Sequence, residues 1–343
     1  MMTHPIIQQL FDRPISQKIW VAPMAGVTDN PYRKLCKYFG AGHAVSEMMT
    51  ADKTLRMSKK SLYRANFDGE IAPISAQIAG SDPIELAEAA RYQVANGAQI
   101  VDINMGCPAK KVCNKLAGSA LLQDEDLVAR ILDSVVNAVN VPVTLKTRLG
   151  FKNGEENILS VAKRAEQAGI AALALHGRTR EDMYLNHARY ELIKQVKTEI
   201  NIPLIANGDI DSPEKAKYVL DYTGADALMV GRAAQGRPWI FREIAHFLET
   251  GKHLASPEIS EIKQVLLSHL TELYQFYGEY SGCRIARKHI AWYTTGLRNS
   301  NAFRQAMYQV ENTAEQAKVV EQYFDELLSY GENLAQVSTE THT

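Results

Sequence analysis

The chain is poor in cysteine, carries almost no net charge and holds no long apolar run, and each shortage removes a class of function. Its four cysteines, Cys36, Cys107, Cys113 and Cys283, contain no Cys-x-x-Cys pair. Neither a zinc ribbon nor an iron–sulfur cluster is therefore expected, and no metal site is. A reduced, cytoplasmic compartment is the simplest expectation. No window reaches the roughly 18 consecutive apolar residues of a membrane span, so no membrane partner is expected. Residues 1–18 contain Asp12, Arg13 and two prolines but no apolar h-region, which argues against a secretory signal. Lys+Arg number 38 and Asp+Glu 39, a net charge of −1. This excludes a globally basic nucleic-acid binder, and DNA is not an expected partner, but a locally basic face remains open. A Gly-x-Gly-x-x-Gly turn, the usual mark of an open doubly wound sheet, is also missing.

What is present is a beat of about thirty residues. Short apolar runs occupy Ile19–Met24, Ala44–Met48, Ile74–Ile78, Ile100–Asn104, Val143–Lys146, Ala172–His176, Leu204–Asn207 and Ala227–Val230. Helical periodicity lies between most of them, as in Asp82-Pro83 followed by Leu86, Ala89, Ala90 and Val94. Strands that read as continuous apolar runs and alternate with helices indicate a parallel sheet covered on both faces. Eight such units in 343 residues fit a (β/α)8 TIM barrel, an α/β fold, over residues 1–250. Beyond Pro257 the spacing is helical only: Ile259, Ile262, Leu266, Leu270, Leu273 and Tyr277, then Val310, Ala314, Ala317, Val320, Phe324 and Leu327. A small all-α helical domain is expected over 255–332, with a disordered tail over 333–343.

In such a barrel, chemistry collects where the strands end. Pro23, Met24 and Ala25 follow the first run, Gln77 closes the third, and Asn104 opens Asn-Met-Gly-Cys-Pro after the fourth. Lys146, His176 and Asn207-Gly208-Asp209 end the next three, and Gly231-Arg232 the last. Glycine turns after the last two strands suit a phosphate. Lys146, desolvated at a strand end, fits a Schiff-base lysine, a partner for an anionic ring or a structural ion pair. His176 fits a core or a catalytic histidine, and Arg178 and Arg180 fit a solvated loop. Cys107 opens the longest gap between runs, and residues 103–123 carry Lys110, Lys111 and Lys115 without an acid. A basic loop favours thiolate, so Cys107 fits a nucleophile, a proton donor or a buried structural thiol.

Ala22-Pro23-Met24-Ala25-Gly26-Val27-Thr28-Asp29, Gln77-Ile78-Ala79-Gly80 and Asp102-Ile103-Asn104-Met105-Gly106-Cys107-Pro108 resemble the tRNA-dihydrouridine synthases. So do His176-Gly177-Arg178-Thr179-Arg180, Ile205-Ala206-Asn207-Gly208-Asp209 and Gly231-Arg232-Ala233-Ala234, in order from about residue 18 to 330. Ala109-Lys110-Lys111-Val112, Lys115 to Leu122 and Arg284-Ile285-Ala286-Arg287-Lys288-His289 are similar to the bacterial B-type subfamily. Cys113 stands where a polar residue is expected.

The resemblance implies FMN as cofactor and NADPH (or NADH) as the nicotinamide dinucleotide that reduces it. Asn207, Gly208, Asp209, Gly231 and Arg232 would hold the FMN phosphate; Pro23, Met24, Ala25 and Gln77 would surround the isoalloxazine, with Lys146 and His176 on its polar side. Hydride would pass from N5 to C6 of a tRNA uridine while Cys107, as general acid, protonates C5. Asn104 would meet the uracil edge and Arg178 the substrate. Arg284, Arg287 and Lys288 would bind tRNA from the helical domain, with Trp292 turned into its core. The expected target is a D-loop uridine, position 17, reduced by a monomeric enzyme. Alternatives are an FMN barrel acting on a free small molecule, a flavin-free aldolase or isomerase using Lys146, and a non-catalytic tRNA-binding paralogue. Residues 281–310 hold five Lys/Arg and no acid, whereas 311–340 hold one basic residue and seven acids. The net charge therefore hides basic patches that suit one particular RNA.

Overall fold

The computed structural model describes residues 4–331, apart from Met57 and Lys115. The tail expected over 333–343 and Lys115 of the basic loop lie outside the described residues. Contacts divide the chain into two units, Met1–Arg232 with Ile240–Gly251, and Ala233–Trp239 with Lys252–Thr343.

The first unit is a parallel barrel. Its strands are β1 Ile19–Val21, β2 His43–Ala44, β3 Met49–Thr50, β4 Ser75–Ala79 and β5 Ile100–Met105. They continue as β6 Val143–Arg148, β7 Ala172–His176, β8 Leu204–Asn207 and β9 Ala227–Val230. The order is β2-β1-β9-β8-β7-β6-β5-β4-β3, every pairing parallel. The ring closes through a bridge between Val45 and Ser75. The run expected as one strand over Ala44–Met48 is thus two short pieces, β2 and β3, sharing one barrel position. The break has a physical cause: Ser46 and Glu47 are buried and polar, and their side chains take up backbone N–H groups, Ser46 that of Gln77 and Glu47 that of Gly26. Elsewhere the strands follow the apolar runs, except that β1 stops three residues short, β4 lies one residue later, β5 is one residue longer and β6 two residues longer than expected.

Helices start where the sequence supplies caps. Asp82 accepts from the N–H groups of Ile84 and Glu85 ahead of Pro83–Ala95, and Asp124 from Leu127 ahead of Glu125–Val136. At the N-terminal end of the barrel, Ile7 and Leu10 of helix Pro5–Phe11 pack on Ile100, Ala172 and Ala227, the first residues of their strands. That end is therefore apolar, which leaves polar chemistry to the opposite mouth.

The second unit is helical: Ile259–Tyr293, interrupted at Gly278 with φ of 75°, then Ser300–Gln309 and Thr313–Ser329. Leu266, Leu270, Leu273, Ile290, Val320, Phe324 and Leu327 form its buried stripe. Ala314, expected in that stripe, is exposed, and Gln316 is buried instead, with Tyr274 Oη donating to its Oε1 at 2.8 Å. Gly236 packs so tightly here that a Cβ would meet the Trp292 carbonyl oxygen at 2.6 Å. Among the described residues no helix is long and apolar enough to cross a membrane.

Candidate active site at the barrel mouth

Parallel register brings the strand-end residues side by side. Gln77 pairs with Asp102, Asp102 with Thr144, Asn104 with Lys146, and His176 with both Arg148 and Asn207. A chain of hydrogen bonds runs through this layer. Thr144 Oγ1 donates to Asp102 Oδ1 at 2.6 Å, and Gln77 Nε2 to Asp102 Oδ2 at 2.7 Å. Asn104 Nδ2 donates to Gln77 Oε1 at 2.8 Å. Asn104 Oδ1 accepts the N–H groups of Gly106 at 3.2 Å and Cys107 at 3.0 Å. The turn that presents the thiol is thereby fixed from inside the barrel.

Cys107 is half-buried. Its carbonyl accepts from Ser119, through the backbone N–H at 3.1 Å and the hydroxyl at 2.9 Å. Burial pushes the thiol pKa up, and this outweighs the opposing influence of a backbone N–H, Arg148 and Lys146. The expectation that a basic loop favours thiolate is corrected: Lys110 and Lys111 are exposed, where solvent screens them, and burial decides. The thiol keeps its proton. Cys113 Sγ lies 3.6 Å from the Cys107 carbonyl and 3.7 Å from Ser119 Oγ.

Lys146 is held at 3.1 Å from Asn207 Oδ1, and Asn207 Nδ2 donates to the Met229 carbonyl at 2.7 Å. Burial, reinforced by Arg148, lowers the ammonium pKa to about 8. Its partner is an amide and not a carboxylate, so the structural ion pair considered from the sequence does not form among the described residues. His176 is buried, and desolvation with four nearby cations holds its pKa well below the usual range, so the ring is neutral.

The last two mouths differ in part from expectation. Arg178, expected at the substrate or in a solvated loop, is buried and committed. It pairs with Asp209 at 2.7 Å and donates to the Leu185 carbonyl at 3.0 Å and to that of Asn186. Asp209 also accepts from Ala188 N at 2.8 Å and faces Arg232 at 3.5 Å. Its carboxylate holds cations in place and would repel a phosphate. What remains for an anion is the glycine backbone and Arg232, whose side chain is 55% exposed. Gly208 has φ of 121°, and a Cβ there would stand 2.8 Å from the His176 ring, so only glycine fits. After β1, Pro23 and Met24 are half-buried and Ala25 is exposed. Met24 Sδ would lie 3.7 Å from a Cβ at Gly231.

Several site residues escaped the sequence reading. Asp102 opens the Asp102–Pro108 segment that carries the resemblance but has no role assigned from sequence, and Thr144 gives no signal. Arg148 donates to the Gly106, Thr179 and Met183 carbonyls, each at 2.8 Å, and so ties the Cys107 turn to the loop after β7. Tyr184, half-exposed, lies under the guanidiniums of Arg148 at 5.5 Å and Arg232 at 4.8 Å.

In the helical unit, Arg284 is exposed and lies 4.0 Å from the ring of Tyr280, itself exposed four residues earlier. The i, i+4 spacing of Tyr280 and Arg284 is the sequence signal for this pair. Arg287 is half-buried and donates to the Val310 carbonyl at 2.9 Å, so its guanidinium is partly structural. Lys288 is half-buried, and Trp292 is half-buried against His289 at 5.1 Å and not fully in the core.

The family model described as Dihydrouridine synthase (Dus) matches residues 20–328. A tRNA-dihydrouridine synthase B of Vibrio cholerae is 58% identical over 92% of this chain and 98% of its own length. Another, from Pseudomonas aeruginosa, is 57% identical over 94% of this chain and 97% of its own. Among solved structures, histamine dehydrogenase from a Rhizobium species shares the fold. Its TM-score is 0.51 at 13% identity, over 77% of this chain and 51% of that one.

Proposed function

The chain belongs to the dihydrouridine synthase family, and from that premise we propose that it reduces the C5=C6 bond of a uridine in tRNA to 5,6-dihydrouridine. The observation that carries this reading is a half-buried thiol at the mouth of a parallel barrel, its turn held by the Asn104 amide, with Lys146 on the adjacent strand.

The residues fit FMN as cofactor. Gly208 lies so close to His176 that any side chain would fill the approach to the backbone, Arg232 is partly exposed, and Lys146 is a desolvated cation without a carboxylate partner. Gly208, Gly231, Arg232 and Asn207 would hold the phosphate end, with Asp209 and Arg178 bracing that turn. Pro23, Met24, Ala25 and Gln77 would line the ring, and Lys146 with neutral His176 its polar edge. When bound, FMN supplies the hydride for C6, with NADPH as its reductant.

Cys107 gives its proton to C5 as negative charge develops there. The second Nδ2 hydrogen of Asn104 meets a uracil carbonyl, since the first is engaged by Gln77. The base has to leave the tRNA fold to reach a strand-end thiol. Arg284 and Lys288, with Tyr280 as a stacking face, bind tRNA from the helical unit. The target is the D-loop uridine at position 17. Mapping dihydrouridine in tRNA from a strain lacking this chain tests the assignment: the modification disappears at position 17 and returns with the chain. Unchanged dihydrouridine at that position would refute it.

A further inference from the structure

We propose that Asp102 is a positioning residue for this reaction, setting the polarity of an amide relay that fixes the Cys107 turn. The inference rests on the functional reading above but is derived from the hydrogen-bond chain alone. An ionised carboxylate only accepts, so the Gln77 atom facing Asp102 Oδ2 has to be Nε2. Gln77 Oε1 then faces Asn104, which has to present Nδ2 to it. That turns Asn104 Oδ1 outward, where the Gly106 and Cys107 N–H groups, which only donate, require an acceptor. The two ends of the relay agree in one arrangement only. Gln77 and Asp102 are nearly inaccessible to water, so no solvent molecule substitutes for a lost partner.

The relay responds to protonation. Burial raises the Asp102 pKa to about 6, against the hydrogen bonds from Thr144 and Gln77. Lys146 on β6 is the charged group facing it; Thr144 on β6 and Gln77 on β4 are neutral. With Oδ1 taken by the Thr144 hydroxyl, a proton on Oδ2 makes Asp102 a donor to Gln77, whose amide turns over and presents Nε2 to Asn104 Nδ2. Two donors then face each other, and the Asn104–Cys107 contact loosens. The turn is therefore tight when Asp102 is ionised and loosens as the pH falls through about 6.

The test is hydrogen exchange of the peptide spanning residues 105–112 in the holoenzyme, alongside single-turnover tRNA reduction across pH. Wild-type exchange, corrected for its intrinsic pH dependence, accelerates on acidification through about pH 6, and the reduction rate falls with it. Asp102→Leu, of similar size but with no acceptor, exchanges rapidly at every pH, loses this acid limb and turns over about tenfold slower, the scale of one buried hydrogen-bond partner removed. Thr144→Val keeps the carboxylate but removes a donor, so its acid limb moves to higher pH and guards against a folding artefact in Asp102→Leu. Exchange in Asp102→Leu equal to wild type, or an acid limb unmoved in Thr144→Val, overturns the proposal. Absence of tRNA reduction in the wild type overturns the functional reading instead, and the exchange data still decide the relay.

Discussion

At the level of single residues, the thiol of Cys107 is held protonated by where it sits and not by its charged neighbours. The sequence made the lysines of its loop conspicuous, but burial, which is a property of the folded chain, decides its protonation. The same holds at Asp209 and Arg178: both were legible as site residues, yet their commitment to each other required the β7 and β8 ends to be brought together. Gly208 is the residue where sequence and structure agree most closely. Gly208→Ala combines a left-handed backbone with a Cβ 2.8 Å from the His176 ring and 2.9 Å from Ala188. It is expected to lower stability by about 2 kcal/mol, measured by urea denaturation, and to weaken flavin retention. A variant as stable as the parent, with full flavin content, would contradict that reading.

At the level of elements, the strands were the most legible feature, because each is a short apolar run buried by helices outside the barrel and by packed side chains within it. The one misread strand, β2 with β3, failed where Ser46 and Glu47 put polar side chains to use inside the barrel wall. The helical unit was legible as helices, though its apolar stripe admits Gln316 and leaves Ala314 exposed. Its basic face divides the same way: Arg284 points outward with Tyr280, while Arg287 closes the end of helix Ser300–Gln309. Replacing Arg284, Arg287 and Lys288 together with alanine is expected to weaken tRNA binding. The slope of log affinity against log salt should shrink by about 2 contacts' worth, since Arg287 is partly spent on Val310. Filter binding across a salt series, with flavin content as the control, checks this. An unchanged slope would remove the face from the tRNA interface.

At the level of the whole molecule, each unit buries two histidines as neutral rings among the described residues: His43 and His176 in the barrel, His269 and His289 in the helical unit. Burial holds His43, His176 and His289 well below the ordinary value of 6.5, and His269 at about 3. The unfolded chain therefore binds protons that the folded chain refuses. The stability these groups allow is complete above 6.5 and is lost as the pH falls below it toward the folded values. Each is expected to cost about 1 kcal/mol between about pH 7.5 and about pH 5.5. Asp102, raised from 3.8 to about 6, acts in the opposite direction over part of that range, but it is one group against four. Urea midpoints should fall on acidification; a midpoint that holds or rises would contradict the burial account.

The central claim is that Cys107 supplies the proton to C5 of the uracil, and single-turnover reduction of unmodified tRNA by the pre-reduced holoenzyme tests it most directly. Cys107→Ala is expected to keep its flavin and its oxidation of NADPH while forming almost no dihydrouridine. Dihydrouridine made by Cys107→Ala at the wild-type rate would contradict it.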